Sequence, residues 1–157
     1  MIVVRQLLIV HHTTSPAMQE ILDSVLEGTR AEGIANVNTI VRPALVASAL
    51  DLLHADGFLL GTPANIGYMS GALKHFFDQV YYPCLTAKPN APYGVFIHGN
   101  NDVAGASRAV TSIATAMGWT LNQKVLSIIG TPNASDRRAC WELGASLAAS
   151  LMVDPQQ

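Results

Sequence analysis

Charge is scarce in this chain. Only 13% of its 157 residues are charged and the formal net charge is −2, which excludes the basic stripe of a protein that tracks nucleic-acid phosphates. It also excludes the acidity of a strongly charged electron shuttle. Cysteine is nearly absent: Cys84 and Cys140 stand apart, with no CxxC and no histidine pair at zinc spacing. Neither a disulfide framework nor a metal site is expected, and a reduced cytoplasm suits the composition. Long apolar runs are missing too. The stretch from Ile2 to Val10 is interrupted by Arg5 and Gln6 and lacks a small-residue cleavage pattern, so a first strand is expected there. The stretch from Ala44 to Ala64 is broken by Asp51, His54, Asp56 and Gly57, and no membrane span is expected.

Several nucleotide and catalytic motifs are absent as well. The turn after the first strand, His11-His12-Thr13-Thr14-Ser15-Pro16-Ala17-Met18, contains no glycine and cannot be a GxGxxG fingerprint. Gly94 to Gly99 has the spacing of a Walker A loop, but Asn100 follows where its lysine belongs. His11-His12 and Gly61-Thr62-Pro63 occupy the places where a receiver domain carries its acidic residues. The run Gly67 to Gly71 around Ser70 has the wrong spacing for a serine-hydrolase GxSxG.

What is present is a regular alternation. Strands are expected at Ile2 to Val10, Val37 to Val41, Gly57 to Leu60, Tyr93 to His98 and Lys124 to Ile129. Between and after them, helical periodicity marks Pro16 to about Gly33, Ala44 to Leu53, Gly71 to about Tyr81, Ala104 to Met117 and Ser135 to Leu151. Ser70 is placed to cap the third helix, and Ser135 or Asp136 the last. Tyr82 to Pro92, with three prolines, is expected to be an extended linker. Residues 1–153 read as one domain, large enough to bury roughly 70% of its unfolded surface, and 154–157 as a frayed tail. Five βα units call for right-handed crossovers and a parallel α/β sheet with helices on both faces. The order is either the flavodoxin-like 2-1-3-4-5 or that of a truncated Rossmann half, and the missing glycines favour the first.

In such sheets ligands bind at the C-terminal edge of the strands. Loop one, His12 to Met18, offers hydroxyls on Thr13, Thr14 and Ser15 and backbone N–H groups near Ala17 and Met18 at a helix start that Pro16 presets. That arrangement suits a phosphate without any cation. The loop from Thr62 to Gly67 offers small side chains and free amides. His98 stands at the end of the fourth strand. Arg137 and Arg138, adjacent at the start of the last helix, are read as solvated charges.

The segment Gly61-Thr62-Pro63, then Gly67, Met69-Ser70-Gly71, Lys74, Phe76 and Asp78, resembles a G-T-P-x-x-x-G-x-M-S-G-x-x-K-x-F-x-D signature. It is that of the flavodoxin-like FMN proteins, in particular the NAD(P)H-dependent FMN reductase and NAD(P)H:quinone oxidoreductase families related to tryptophan-repressor-binding protein. The resemblance extends over essentially the whole chain. It implies a five-stranded, three-layer flavodoxin-like fold and an FMN cofactor reduced by NADH or NADPH, with a quinone or similar small molecule as acceptor. A non-enzymatic electron carrier or binding module is the alternative. It implies further that Pro63, Ala64, Asn65, Ile66 and Gly67 line the flavin ring and that His12 to Met18 hold its phosphate. His98, Gly99, Asn100 and Asn101 would close the far side. No side chain is required as a catalytic nucleophile, since the flavin carries the chemistry, and His98 is a candidate auxiliary. Ser15, Pro16 and Ala17 depart from the family's S-x-T-G-N-T loop, which removes one hydrogen bond to a charged group, worth ~1.5–3 kcal/mol. A homodimer or higher homo-oligomer is expected, through the third helix or Tyr81-Tyr82, and no nucleic-acid or membrane partner.

Overall fold

The first strand is apolar on both sides. In β1 (Arg5–His11) Leu7 and Ile9 are buried in one cluster while Leu8 and Val10 are buried in another. Because successive strand residues face opposite ways, such a strand must lie between two helical layers. A computed structural model of the chain describes residues 2–153, and the expected tail at 154–157 lies outside the described residues.

Parallel to β1 lie β2 (Val37–Pro43) and β3 (Gly57–Asn65), with Leu8 level with Ile40 on one side and Phe58 on the other. β5 (Pro92–Gly99) pairs with β3, with Leu60 beside Val95. The last strand is split into β6 (Thr120–Leu121) and β7 (Leu126–Ile129), both parallel to β5. Counting the five principal strands, the order is the expected 2-1-3-4-5. β4 (Tyr68–Met69) is a short antiparallel addition to β3.

One face carries α1 (Pro16–Thr29) and α5 (Ala134–Ser150), which cross with backbones in contact. A Cβ on Gly28 would come within 2.0 Å of the Trp141 carbonyl oxygen, so only glycine permits that approach. The other face carries α2 (Ala49–Leu53), α3 (Gly71–Cys84) and α4 (Ala104–Ala116) around Phe58, Phe76, Phe77 and Val110. No helix among the described residues is long and apolar enough to cross a membrane.

Several boundaries differ from expectation. β1 begins at Arg5, and Ile2, Val3 and Val4 are exposed. α1 closes at Thr29, with Arg30 as its C-cap, before the positive-φ turn at Gly33. Residues 44–47 are not helical: Ser48 and Asp51 form a reciprocal capping box that starts α2 at Ala49. The expected linker from Tyr82 is helical as far as Cys84. Pro83 sits inside α3 on its exposed side, and the buried Val80 and Cys84 hold the last turn against the core although proline donates no hydrogen bond there. α5 is capped by Asn133, with Asp136 as its box partner; neither Ser135 nor Asp136 is the cap itself.

Candidate functional site

Parallel register brings three loops to one edge. His11 lies level with Gly61, and Pro63 with His98. β3, however, runs past its neighbours to Asn65 and folds back through β4, so the expected loop from Thr62 to Gly67 is a β-hairpin. Ile66 and Gly67 form its tip with φ of 51° and 71°, the positive pair that marks a type I′ turn. For β-branched Ile66 this is a strained conformation costing about 1–2 kcal/mol, and its side chain is fully exposed. The N–H groups of Ile66 and Gly67 have no backbone partner among the described residues.

Two contacts hold the hairpin upright. At its base the fully buried Thr62 accepts a hydrogen bond from the Ser70 N–H at 2.9 Å and donates to the Pro63 carbonyl at 2.8 Å. Ser70 in turn caps α3 by accepting from the Leu73 N–H at 3.2 Å. At its tip Gly105, in the first turn of α4, lies against the Gly67 carbonyl, and a Cβ on Gly105 would stand 1.9 Å from that oxygen. Gly105 thus ties α4, the helix that follows the third loop (His98 to Asn101), to the hairpin.

Loop one is held by side chains. Ser15 is the N-cap of α1 and accepts from the Met18 N–H at 3.1 Å, so that amide is occupied, and the Met18 side chain is fully buried. The His12 N–H continues the sheet by donating to Gly61 at 3.0 Å. His11, the last residue of β1, contacts the Thr13 hydroxyl through Nδ1 at 2.8 Å. Burial lowers the His11 pKa below 6.5, with the neighbouring His12 adding to the effect. The amides of Thr13, Thr14, Ser15 and Ala17 have no partner among the described residues. Four open N–H groups at a helix N-terminus suit an anion.

The third loop is tied to the turn that follows β7. His98 Nε2 lies 2.8 Å from the Gly130 carbonyl, and Gly130 N–H donates to Gly99 at 2.9 Å. A carbonyl only accepts, so Nε2 carries the hydrogen and the neutral ring has no N–H left to offer an acceptor oxygen. Beyond it Asn101 and Asp102 turn the chain by accepting from the Asp102 and Ala104 amides.

A cavity of about 360 Å3 opens between these loops, within the range of small-molecule sites. Pro16, Ala17, His98 and Asn100 line it together with Glu20 and the turn Gly130–Pro132. His12 to Ser15 and Met18 of loop one, the hairpin residues Pro63 to Gly67, and Gly99 and Asn101 belong to the same edge but do not line this cavity. Glu20 and Gly130–Pro132 escaped the sequence reading. Gly130-Thr131-Pro132 repeats the tripeptide of Gly61-Thr62-Pro63 at another strand end, a signal that was there to be read. A larger cavity, about 630 Å3, lies at the opposite edge beside Arg5, Asp56 and Leu151; strand N-termini, unlike the C-terminal edge, are not where open α/β sheets bind ligands.

The architecture has close counterparts. A flavodoxin from the domain Archaea superposes with a TM-score of 0.79 at 18% identity, covering 92% of this chain and 97% of that one. The fold is flavodoxin-like. A flavodoxin described as WrbA-like, from Agrobacterium tumefaciens, gives a TM-score of 0.74 at 19% identity over 93% of this chain and 96% of its own. In sequence, a flavodoxin of Aquifex aeolicus (strain VF5) is 29% identical over 75 residues, 48% of this chain and 40% of that protein's length. No protein-family model matches the chain. All three loops described above stand on the flavodoxin-like sheet at its C-terminal edge.

Proposed function

We propose that this chain binds FMN across the C-terminal edge of its sheet and works as an NAD(P)H-dependent oxidoreductase with a quinone or similar small molecule as acceptor. The observation that carries the proposal is one juxtaposition: four open amides at the start of α1 stand on the same edge as the hairpin tip with its two free N–H groups. The donor set fits the group. Open amides and the Thr14 hydroxyl suit a phosphate, while exposed Ile66 and half-exposed Tyr68 offer apolar surface to a ring. When bound, FMN supplies hydride acceptance from a nicotinamide and onward electron transfer.

The protein's part is positioning and electrostatics. The Ile66 and Gly67 amides would stabilise negative charge on a reduced ring, as fixed dipoles do in an oxyanion site. Thr62 and Gly105 hold those amides in place from below and behind. His98 acts as a positioning residue, fastening the third loop to Gly130.

A one-electron carrier is the second reading, favoured by the near end-to-end superposition on an archaeal flavodoxin. We further propose a reduced cytoplasmic setting, consistent with Cys84 and Cys140 being free and buried. A homodimer through α3 is proposed as well, on the side where Tyr82 is exposed beside Tyr81.

Purified protein should bind FMN and then absorb at about 450 nm. A colourless protein that fails to bind added FMN would overturn the proposal. NADPH oxidation with benzoquinone then separates the two readings: turnover supports the reductase, and its absence from FMN-loaded protein supports the carrier.

A further inference from the structure

Resting on the homodimer through α3, we infer that the two copies exchange a tyrosine: Tyr82 of each enters a groove on the other's α3 beside Lys74 and Asp78. The groove holds about 220 Å3 and is lined by Lys74, Phe77, Asp78 and Tyr81 of α3 and Ile113 of α4, with Tyr82 on its rim. What it offers is what a tyrosine side chain takes. Buried Phe77 and partly buried Ile113 form an apolar floor for a ring. Lys74, whose Nζ lies 2.6 Å from Asp78 Oδ1, brings a cation to a ring face. Asp78 Oδ2 has no hydrogen-bond partner among the described residues and is free to accept from a phenol O–H.

Tyr82 does not fill the groove of its own chain. It is 82% exposed, more than any other phenylalanine, tyrosine or tryptophan among the described residues, and its ring stands edge-on to Tyr81 with centroids 5.1 Å apart. One face of α3 thus carries both a projecting tyrosine and a groove suited to one. Such a patch is complementary to itself, so a two-fold axis satisfies both halves at once and closes the assembly at two copies. Helix geometry fixes where the axis falls. Lys74, Asp78 and Tyr82 follow one another at intervals of about one turn. Two antiparallel copies of α3 that cross at Asp78 therefore bring each Tyr82, one turn beyond the axis, over the partner's Lys74, one turn before it. Charge permits the approach: each Asp78 is already paired with the Lys74 of its own chain, so the copies meet as two neutral pairs. A tyrosine enclosed in this way has the character of an interface hot spot.

Sedimentation equilibrium of the native protein and its variants tests the exchange. The native chain should be a dimer, and Tyr82→Ala should weaken self-association about ten-fold or more, the loss of one hot spot. Tyr82→Phe keeps the ring and removes only the hydroxyl, so its loss should be a few-fold. The geometry is read by mixing Lys74→Cys protein with Tyr82→Cys protein under mild oxidation. A disulfide should join one variant to the other faster than it joins either to itself, since position 82 of one copy meets position 74 of its partner and the second contact of the mixed dimer stays native. A native dimer whose association Tyr82→Ala leaves unchanged would overturn the inference and put the interface elsewhere, as would cysteines that join like to like. A native protein that stays monomeric would take the homodimer reading down as well.

Discussion

The hairpin tip and loop one stand on the same edge and are built in opposite ways. The hairpin is fixed through its backbone: strand pairing, a buried threonine and the Gly67–Gly105 contact hold Ile66 in a strained conformation. Loop one is fixed through side chains, by the Ser15 cap and the His11–Thr13 contact, and its amides stay open. A backbone-built wall tolerates almost no change where two chains touch, whereas a side-chain-built loop can be altered residue by residue.

The hardest blow to this contrast is a methyl group at Gly105. Gly105→Ala places a Cβ on the Gly67 carbonyl oxygen, and since backbone cannot yield as a side-chain end can, about 1–3 kcal/mol should be lost. Chemical denaturation measures it, and FMN affinity should fall in parallel as the hairpin tilts. A cost near zero would mean the hairpin is not fixed from behind.

Loop one should respond more mildly. Ser15→Ala removes the cap of α1 and should cost about 1 kcal/mol, read from the denaturation midpoint at unchanged slope. The same change frees the Met18 amide, so FMN affinity should hold better than stability does.

Ile66→Gly should have the opposite sign. Relief of about 1–2 kcal/mol of left-handed strain exceeds glycine's entropic cost of roughly 0.5–1 kcal/mol, so the variant should be slightly more stable by thermal melting. Weaker FMN binding alongside greater stability would mark Ile66 as a residue kept for its surface.

The smallest effect is a pH dependence. Burial holds the His11 pKa below its ordinary 6.5, so the unfolded chain takes up a proton more readily than the folded one. Stability is then fully present above pH 6.5 and is lost as pH falls through the folded value. Denaturation midpoints measured down through that range should fall less steeply for His11→Asn.

Much of the architecture was legible. Period-two and period-3.6 patterns marked every principal strand and helix, and Pro16 and Ser70 marked helix starts. What escaped was either very short or very distant. A two-residue strand such as β4 has no period to read. Pro83 argued for a linker because the burial that holds it in α3 is a tertiary matter. Asn133, two residues before the expected cap, was missed because several capping residues compete in one short stretch.

By itself the sequence determined what depends on near neighbours: which segments are strands or helices, where helices begin, and which loop starts a helix with open amides. Those choices rest on backbone sterics and local hydrogen bonds within a few residues. The tertiary structure alone decided the rest. Glu20 and Arg137, an ion pair between α1 and α5, lie 117 residues apart in the chain, and His98 and Gly130 lie 32 apart. Gly67 meets Gly105 only because β3 and α4 pack together. No local pattern encodes such pairs, since each distance is set by how the two buried clusters on either side of the sheet fill space.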